Sequence, residues 1–176
     1  MVPLCGKSSD MIWMARQGCE ILGVELSSLA CEDFFKENGL DFKRENANPF
    51  VKYSVNNITI LCGNFFDLQP EMVSGVSSVY DRAALIALPP ELRSKYVQHL
   101  LKVTGRPFDA LLITIEYDQN KAEGPPFSVS ENELRTLYSE GSITVLRSEA
   151  DGSLSARPKF AGVNILENVY LISIKT

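Results

Sequence analysis

Gly6 heads a Gly-Lys-Ser turn, and Glu25 stands 19 residues further on, closing an apolar run. A tight glycine turn followed about 20 residues later by an acid is how doubly wound α/β folds hold an adenosine ribose. The glycine lets the backbone come close to a ligand, and the carboxylate accepts hydrogen bonds from ribose hydroxyls. On residue type alone, Glu25 could also be the solvated end of a strand.

Two neighbouring readings fail on spacing. A phosphate-binding G-x-x-x-x-G-K-[ST] loop ending at Gly6-Lys7-Ser8 would need glycine at position 1, where Met1 stands, and Pro3 falls inside the would-be loop. The dinucleotide pattern G-x-G-x-x-G meets Leu4 and Ser9 where glycines are required. A pyrophosphate then has no close backbone seat. What remains is a site for adenosine without a pyrophosphate.

The other reactive side chains are few. His99 is the single histidine and lies in a helical pattern over Glu91–Val103, which fits packing better than Ser-His-Asp or Cys-His chemistry. Cys5, Cys19, Cys31 and Cys62 are 14, 12 and 31 residues apart, a spacing without a C-x-x-C pair that suggests free thiols rather than a zinc site. No metal is expected.

Composition narrows the partners. The 176 residues are 45% hydrophobic and 22% charged, with a net charge of −5 and no basic block, so nucleic acid is not an expected partner. No apolar run reaches the ~18 residues of a membrane span. The chain opens on Gly-Lys-Ser rather than on a basic segment and apolar stretch, so a cytoplasmic location is the expectation.

Alternating segments must position these residues. Strands are predicted as a stub at Val2–Leu4, then Glu20–Val24, Ile58–Cys62, Val76–Tyr80, Asp109–Glu116, Ile143–Arg147 and Val169–Ile174. Helices are predicted at Ser9–Gln17, Leu29–Asn38 with Ser27 or Ser28 as cap, Glu91–Val103 after Pro89-Pro90, and Ser130–Ser139 with a Ser130/Glu133 capping box. Residues 41–57 are polar and patternless, a loop with room for a short hairpin; Asp151-Gly152 reads as a turn between the last two strands. This alternation predicts an α/β sandwich around a mostly parallel sheet.

Taken in order, Val2-Pro3-Leu4-Cys5-Gly6-Lys7-Ser8, Gly23-Val24-Glu25-Leu26-Ser27, Phe66-Asp67-Leu68, Tyr80-Asp81-Arg82-Ala83-Ala84-Leu85, Glu116-Tyr117-Asp118 and Gly124-Pro125-Pro126-Phe127 give a series that resembles the thiopurine S-methyltransferase family, its bacterial branch above all. The resemblance covers nearly all of the chain. It implies a class I, Rossmann-like methyltransferase fold with a mostly parallel seven-stranded sheet, an antiparallel C-terminal hairpin and helices on both faces. Residues 1–176 would form a single domain. S-adenosylmethionine would be the cofactor, with Leu4 and Gly6 against it, Glu25 on its ribose, and Asn64 and Phe65 flanking its adenine. Arg82 matches an arginine near the methionine end and the acceptor, which makes it both a cofactor contact and the candidate catalytic residue. Pro125, Pro126 and Arg157 match acceptor-side positions.

The implied reaction is direct in-line methyl transfer to a thiopurine-like or other small thiol, with selenium and tellurium compounds as further acceptors in the bacterial branch. Cys5 would pack against the cofactor rather than act as a nucleophile. The full-length form is expected to be a monomer. Two departures stand out. The family's aromatic-rich N-terminal segment and the beginning of strand one have no counterpart here, so an incomplete sequence, and a weakly binding non-catalytic domain as the alternative function, are expectations too. Ala161 stands where many relatives carry Trp.

Overall fold

The computed structural model describes residues 1–175 and divides into two compact units, Met1–Gly75 and Val76–Thr176. In the first, Ile21–Glu25 (β1) is a short apolar strand that pairs in parallel with Ile58–Cys62 (β4), in a register that sets Glu25 opposite Cys62. Asp10–Arg16 (α1) and Ser28–Glu37 (α2) flank β1 in sequence. Ser27 starts α2 by accepting the Ala30 N–H at 3.2 Å. Phe34, Phe35 and Tyr53 are fully buried and join Phe42 in a chain of ring contacts at 5.0, 5.0 and 5.6 Å.

The patternless stretch proves to be a hairpin. Lys43–Ala47 (β2) and Phe50–Val55 (β3) pair antiparallel, and β3 pairs antiparallel with β4. The order is β1-β4-β3-β2. β2 ends the sheet and is solvated on both faces, so its residues carry no alternation to read; charged residues there also blunt the edge.

In the second unit, Ser78–Asp81 (β5) pairs in parallel with Phe108–Glu116 (β6). β6 is a largely apolar strand of nine residues and pairs on its other side with Leu166–Ile174 (β8), which pairs in turn with Ser142–Ala150 (β7), both antiparallel, giving β5-β6-β8-β7. Ala84–Ala87 (α3), Pro90–Thr104 (α4) and Glu131–Leu137 (α5) complete it, with Val97, Leu100, Leu134, Tyr170 and Ile172 at its centre.

These sheets correct the expected seven-stranded, mostly parallel sheet. Eight strands form two four-stranded mixed sheets, each with one parallel strand pair, because the β2–β3 hairpin and the β7–β8 pair both add antiparallel partners. The expected C-terminal hairpin is present only as an antiparallel strand pair, because residues 151–165 separate β7 from β8. The turn assigned to Asp151-Gly152 is instead a helix start: Asp151 accepts the N–H groups of Ser153 and Leu154, and Gly152–Ser155 (α6) follows.

Candidate active site

The first unit holds the ribose candidate. Residues 2–5 run beside β1 in parallel: Val2 N–H donates to Leu22 O, Val24 N–H to Val2 O, and Cys5 N–H to Val24 O, at 2.8, 3.0 and 2.9 Å. The chain then turns through positive φ at Leu4 (44°) and Gly6 (51°). This turn delivers the Gly6 N–H to Glu25 Oε2 at 2.8 Å, while Ser27 N–H donates to Oε1 at 2.8 Å. Each oxygen takes one backbone donor, and a carboxylate has lone pairs for about four. The remaining acceptor capacity suits two ribose hydroxyls.

Space and surroundings agree with a nucleoside. A Cβ placed on Gly6 would meet no atom within 4 Å, so one side of the turn is open to an approaching ligand. Gly23 is the opposite case: a Cβ there would lie 2.9 Å from Cys5 Sγ and 3.2 Å from Ile60, so only glycine lets residues 2–5 lie this close to β1. Leu26, next to Glu25, is 74% exposed, an apolar surface beside a carboxylate.

Other members of the opening motif serve the fold. Lys7 Nζ donates to Glu37 at the end of α2 at 2.6 Å, and Ser8 Oγ to Asp10 at 3.2 Å. Neither cradles a phosphate. Cys5 is buried, and loss of solvation, helped by the nearby Glu25 charge, pushes its thiol pKa up to about 12. It stays protonated near neutrality, which removes it as a nucleophile.

Asn64 and Phe65 follow β4, whose end is tied to β1 by Gly63 N–H on Glu25 O at 2.9 Å. Asn64 is exposed, and its Oδ1 accepts the Phe66 N–H at 3.2 Å. Phe65 is only 6% exposed, with its ring edge-to-face on Phe66.

The second unit holds the acceptor-side candidates. Asp81 ends β5 and is 1% exposed; it accepts Ala84 N–H at 2.9 Å, Leu85 N–H at 3.2 Å and Tyr96 O–H at 2.7 Å. Its side chain thereby starts α3, and Arg82 is carried, exposed, on the turn between them. Burial raises the Asp81 pKa to about 6, against the opposing effect of those three hydrogen bonds.

The Gly124-Pro125-Pro126-Phe127 turn is fastened from several sides. Tyr117 O–H donates to Pro126 O and Phe127 N–H to Ile86 O, both at 2.7 Å. Lys159 Nζ donates to Pro125 O at 2.9 Å. Arg157, two residues away, is exposed and lies in the field of Asp151. Of the two basic residues Arg157 and Lys159, it is Lys159 that reaches this turn, and nothing in its local sequence distinguishes it from a solvated lysine.

A glycine turn on a parallel strand pair, with an acid at the next strand end, is the arrangement that nucleotide-binding α/β folds use to hold a ribose. Solved structures of methyltransferases share the fold: an S-adenosylmethionine-dependent methyltransferase of Methanosarcina mazei matches 99% of this chain and 91% of its own at TM-score 0.70 and 15% identity. The 1,6-didemethyltoxoflavin-N1-methyltransferase of Burkholderia thailandensis, solved with S-adenosylhomocysteine bound, covers 99% of this chain and 70% of its own at TM-score 0.61 and 15% identity.

The particular family follows from sequence. The profile of the Thiopurine S-methyltransferase (TPMT) family matches residues 1–175, and the chain belongs to that family. It is 47% identical to the thiopurine S-methyltransferase of Bordetella petrii over 92% of this chain and 73% of that one. The Nitrosospira multiformis protein of the same name is 44% identical over 99% of this chain and 80% of its own. The chain is thus a methyltransferase with S-adenosylmethionine as its cofactor.

Proposed function

We propose that this protein transfers the methyl group of S-adenosylmethionine to the sulfur of a small thiol, thiopurines among them, in one in-line displacement. The observation that carries the cofactor half is the Glu25 carboxylate held by Gly6 and Ser27 with acceptor capacity to spare. The names of relatives at 44–47% identity support the thiol acceptor. Bound S-adenosylmethionine supplies an activated methyl group.

The chain itself has three tasks. Leu4 and Gly6 shape the turn against the cofactor, Glu25 takes the ribose hydroxyls, and Asn64 and Phe65 flank the adenine. Arg82 favours the acceptor's thiolate, since a nearby cation lowers an acid's pKa. Pro125 and Pro126 line the acceptor side, with Arg157 assisting. Sulfur attack on a sulfonium's methyl needs alignment more than acid–base help, and alignment of two reactants can contribute ~7–11 kcal/mol. A protonated, buried Cys5 fits a route without a covalent enzyme intermediate.

The test pairs calorimetry with turnover. S-adenosylhomocysteine should bind in a one-to-one complex, and radiolabelled cofactor should pass its methyl group to a thiopurine. Binding without transfer to any thiol would leave a cofactor-binding domain and remove the acceptor assignment.

A further inference from the structure

Arg93 lies on α4 and is 1% exposed; among the described residues it is the only cation so enclosed. Its Nη1 donates to both oxygens of Glu133, at 2.7 and 2.8 Å, and its Nε to Leu88 O at 3.0 Å. The guanidinium carbon stands 5.9 Å from the centre of the Phe127 ring. Nη2 is buried with no partner among the described residues.

For stability alone this is a poor arrangement. Glu133 is half-buried, but Arg93 is fully enclosed with an unmet donor, and desolvating such a charge costs free energy that an apolar side chain of the same volume would not. What an apolar side chain cannot do is join three separate segments by direction. Leu88 ends the stretch that begins at Arg82; Phe127 ends the Pro125–Pro126 turn; Glu133 anchors the fork on α5. The first two segments share a second link, Phe127 N–H on Ile86 O at 2.7 Å. Arg93 therefore braces the stretch carrying Arg82 against the turn carrying Pro125 and Pro126.

We propose that Arg93 is a positioning residue that fixes the spacing of these two acceptor-side segments and so governs acceptor affinity rather than cofactor affinity. This rests on the acceptor assignment above. The side chain has no need to touch the acceptor, and its influence runs through Leu88 and Phe127.

Arg93→Met, Arg93→Lys and Glu133→Gln test it in the full chain, by steady-state kinetics in a thiol acceptor and in S-adenosylmethionine, calorimetry with S-adenosylhomocysteine, and thermal unfolding. Misplacing substrate-aligning groups has large kinetic effects, so Arg93→Met should raise the acceptor KM about ten-fold or more. Arg93→Lys, which keeps the charge but not the fork, should fall between it and wild type. Glu133→Gln should raise the acceptor KM by a smaller factor. The S-adenosylhomocysteine Kd should stay within about two-fold throughout, whatever happens to the melting temperature. Should Arg93→Met not fold, the other two variants decide. Unmoved acceptor KM in the folded variants, or equal losses for acceptor and cofactor, would overturn the role of Arg93 while the acceptor assignment stands. A wild type that methylates no thiol would overturn both.

Discussion

The Gly6 amide and the Glu25 carboxylate are 2.8 Å apart, and this hydrogen bond makes the acid proposed for the ribose part of the Gly6 turn. Position and acceptor strength are set together. Losing the carboxylate frees the Gly6 turn and also uncaps the Ser27 N–H.

Glu25→Ala should therefore weaken S-adenosylhomocysteine binding by ~1.5–3 kcal/mol, the range for hydrogen bonds to a charged group. Glu20→Ala, on the exposed approach to β1, should change it little. Glu25→Gln should also bind poorly, since its amide must set a donor against either Gly6 or Ser27. Calorimetry on the three variants checks this, and equal affinity for Glu25→Ala and Glu20→Ala would remove the ribose assignment.

Gly23→Ala should act on the same site from below. The new methyl group would stand 2.9 Å from Cys5 Sγ and push residues 2–5 off β1. Overpacking of this kind costs ~1–3 kcal/mol, read by urea unfolding, and cofactor affinity should fall with it. Combining it with Cys5→Ala removes the nearest obstructing atom, so the double variant should be more stable than the sum of the single losses predicts.

The strands that carry the candidate residues of each unit were legible because they are apolar runs ending in polar or charged residues: β1 at Glu25 and β4 before Asn64 in the first, β5 at Asp81 and β6 throughout in the second. Legibility failed where the cause was not local. β2 lies at a solvated edge and shows no period. α3 is started by a buried carboxylate whose partners include Tyr96, 15 residues away. Ser130 and Glu133 form only half the expected capping box: Ser130 Oγ accepts the Glu133 N–H at 3.3 Å, but the Glu133 side chain goes to Arg93, 40 residues distant. Lys159 reaches Pro125 across 34 residues, so no window of sequence contains that pair.

Arg82 carries the clearest prediction about chemistry. Arg82→Met should lose most of the methyl transfer, and Arg82→Lys should keep a share, with S-adenosylhomocysteine affinity less affected. A neighbouring cation typically lowers an acid's pKa by about one unit or more, so at neutral pH the loss should be about ten-fold for thiols of high pKa and small for those already ionised. Plotting the rate ratio against acceptor pKa reads this directly. Early thermal unfolding of both variants would assign Arg82 to the fold instead.

Asp81 links stability to pH. Its pKa in the folded chain is about 6, raised by burial above the ordinary 3.8. A carboxyl raised in this way stabilises the folded state fully below its unfolded pKa, and the contribution is lost as pH climbs through about 6. A shift of about two units corresponds to ~3 kcal/mol between the two limits. Asp81→Asn keeps an oxygen for Ala84 and Leu85 and turns an N–H toward the Tyr96 oxygen, with no charge to desolvate. Relative to wild type, the variant should thus gain stability between pH 4 and pH 7.5, and urea midpoints at the two pH values measure the gain. A variant that loses ground at pH 7.5 would mean that the ionised carboxylate is worth more to its three donors than its burial costs.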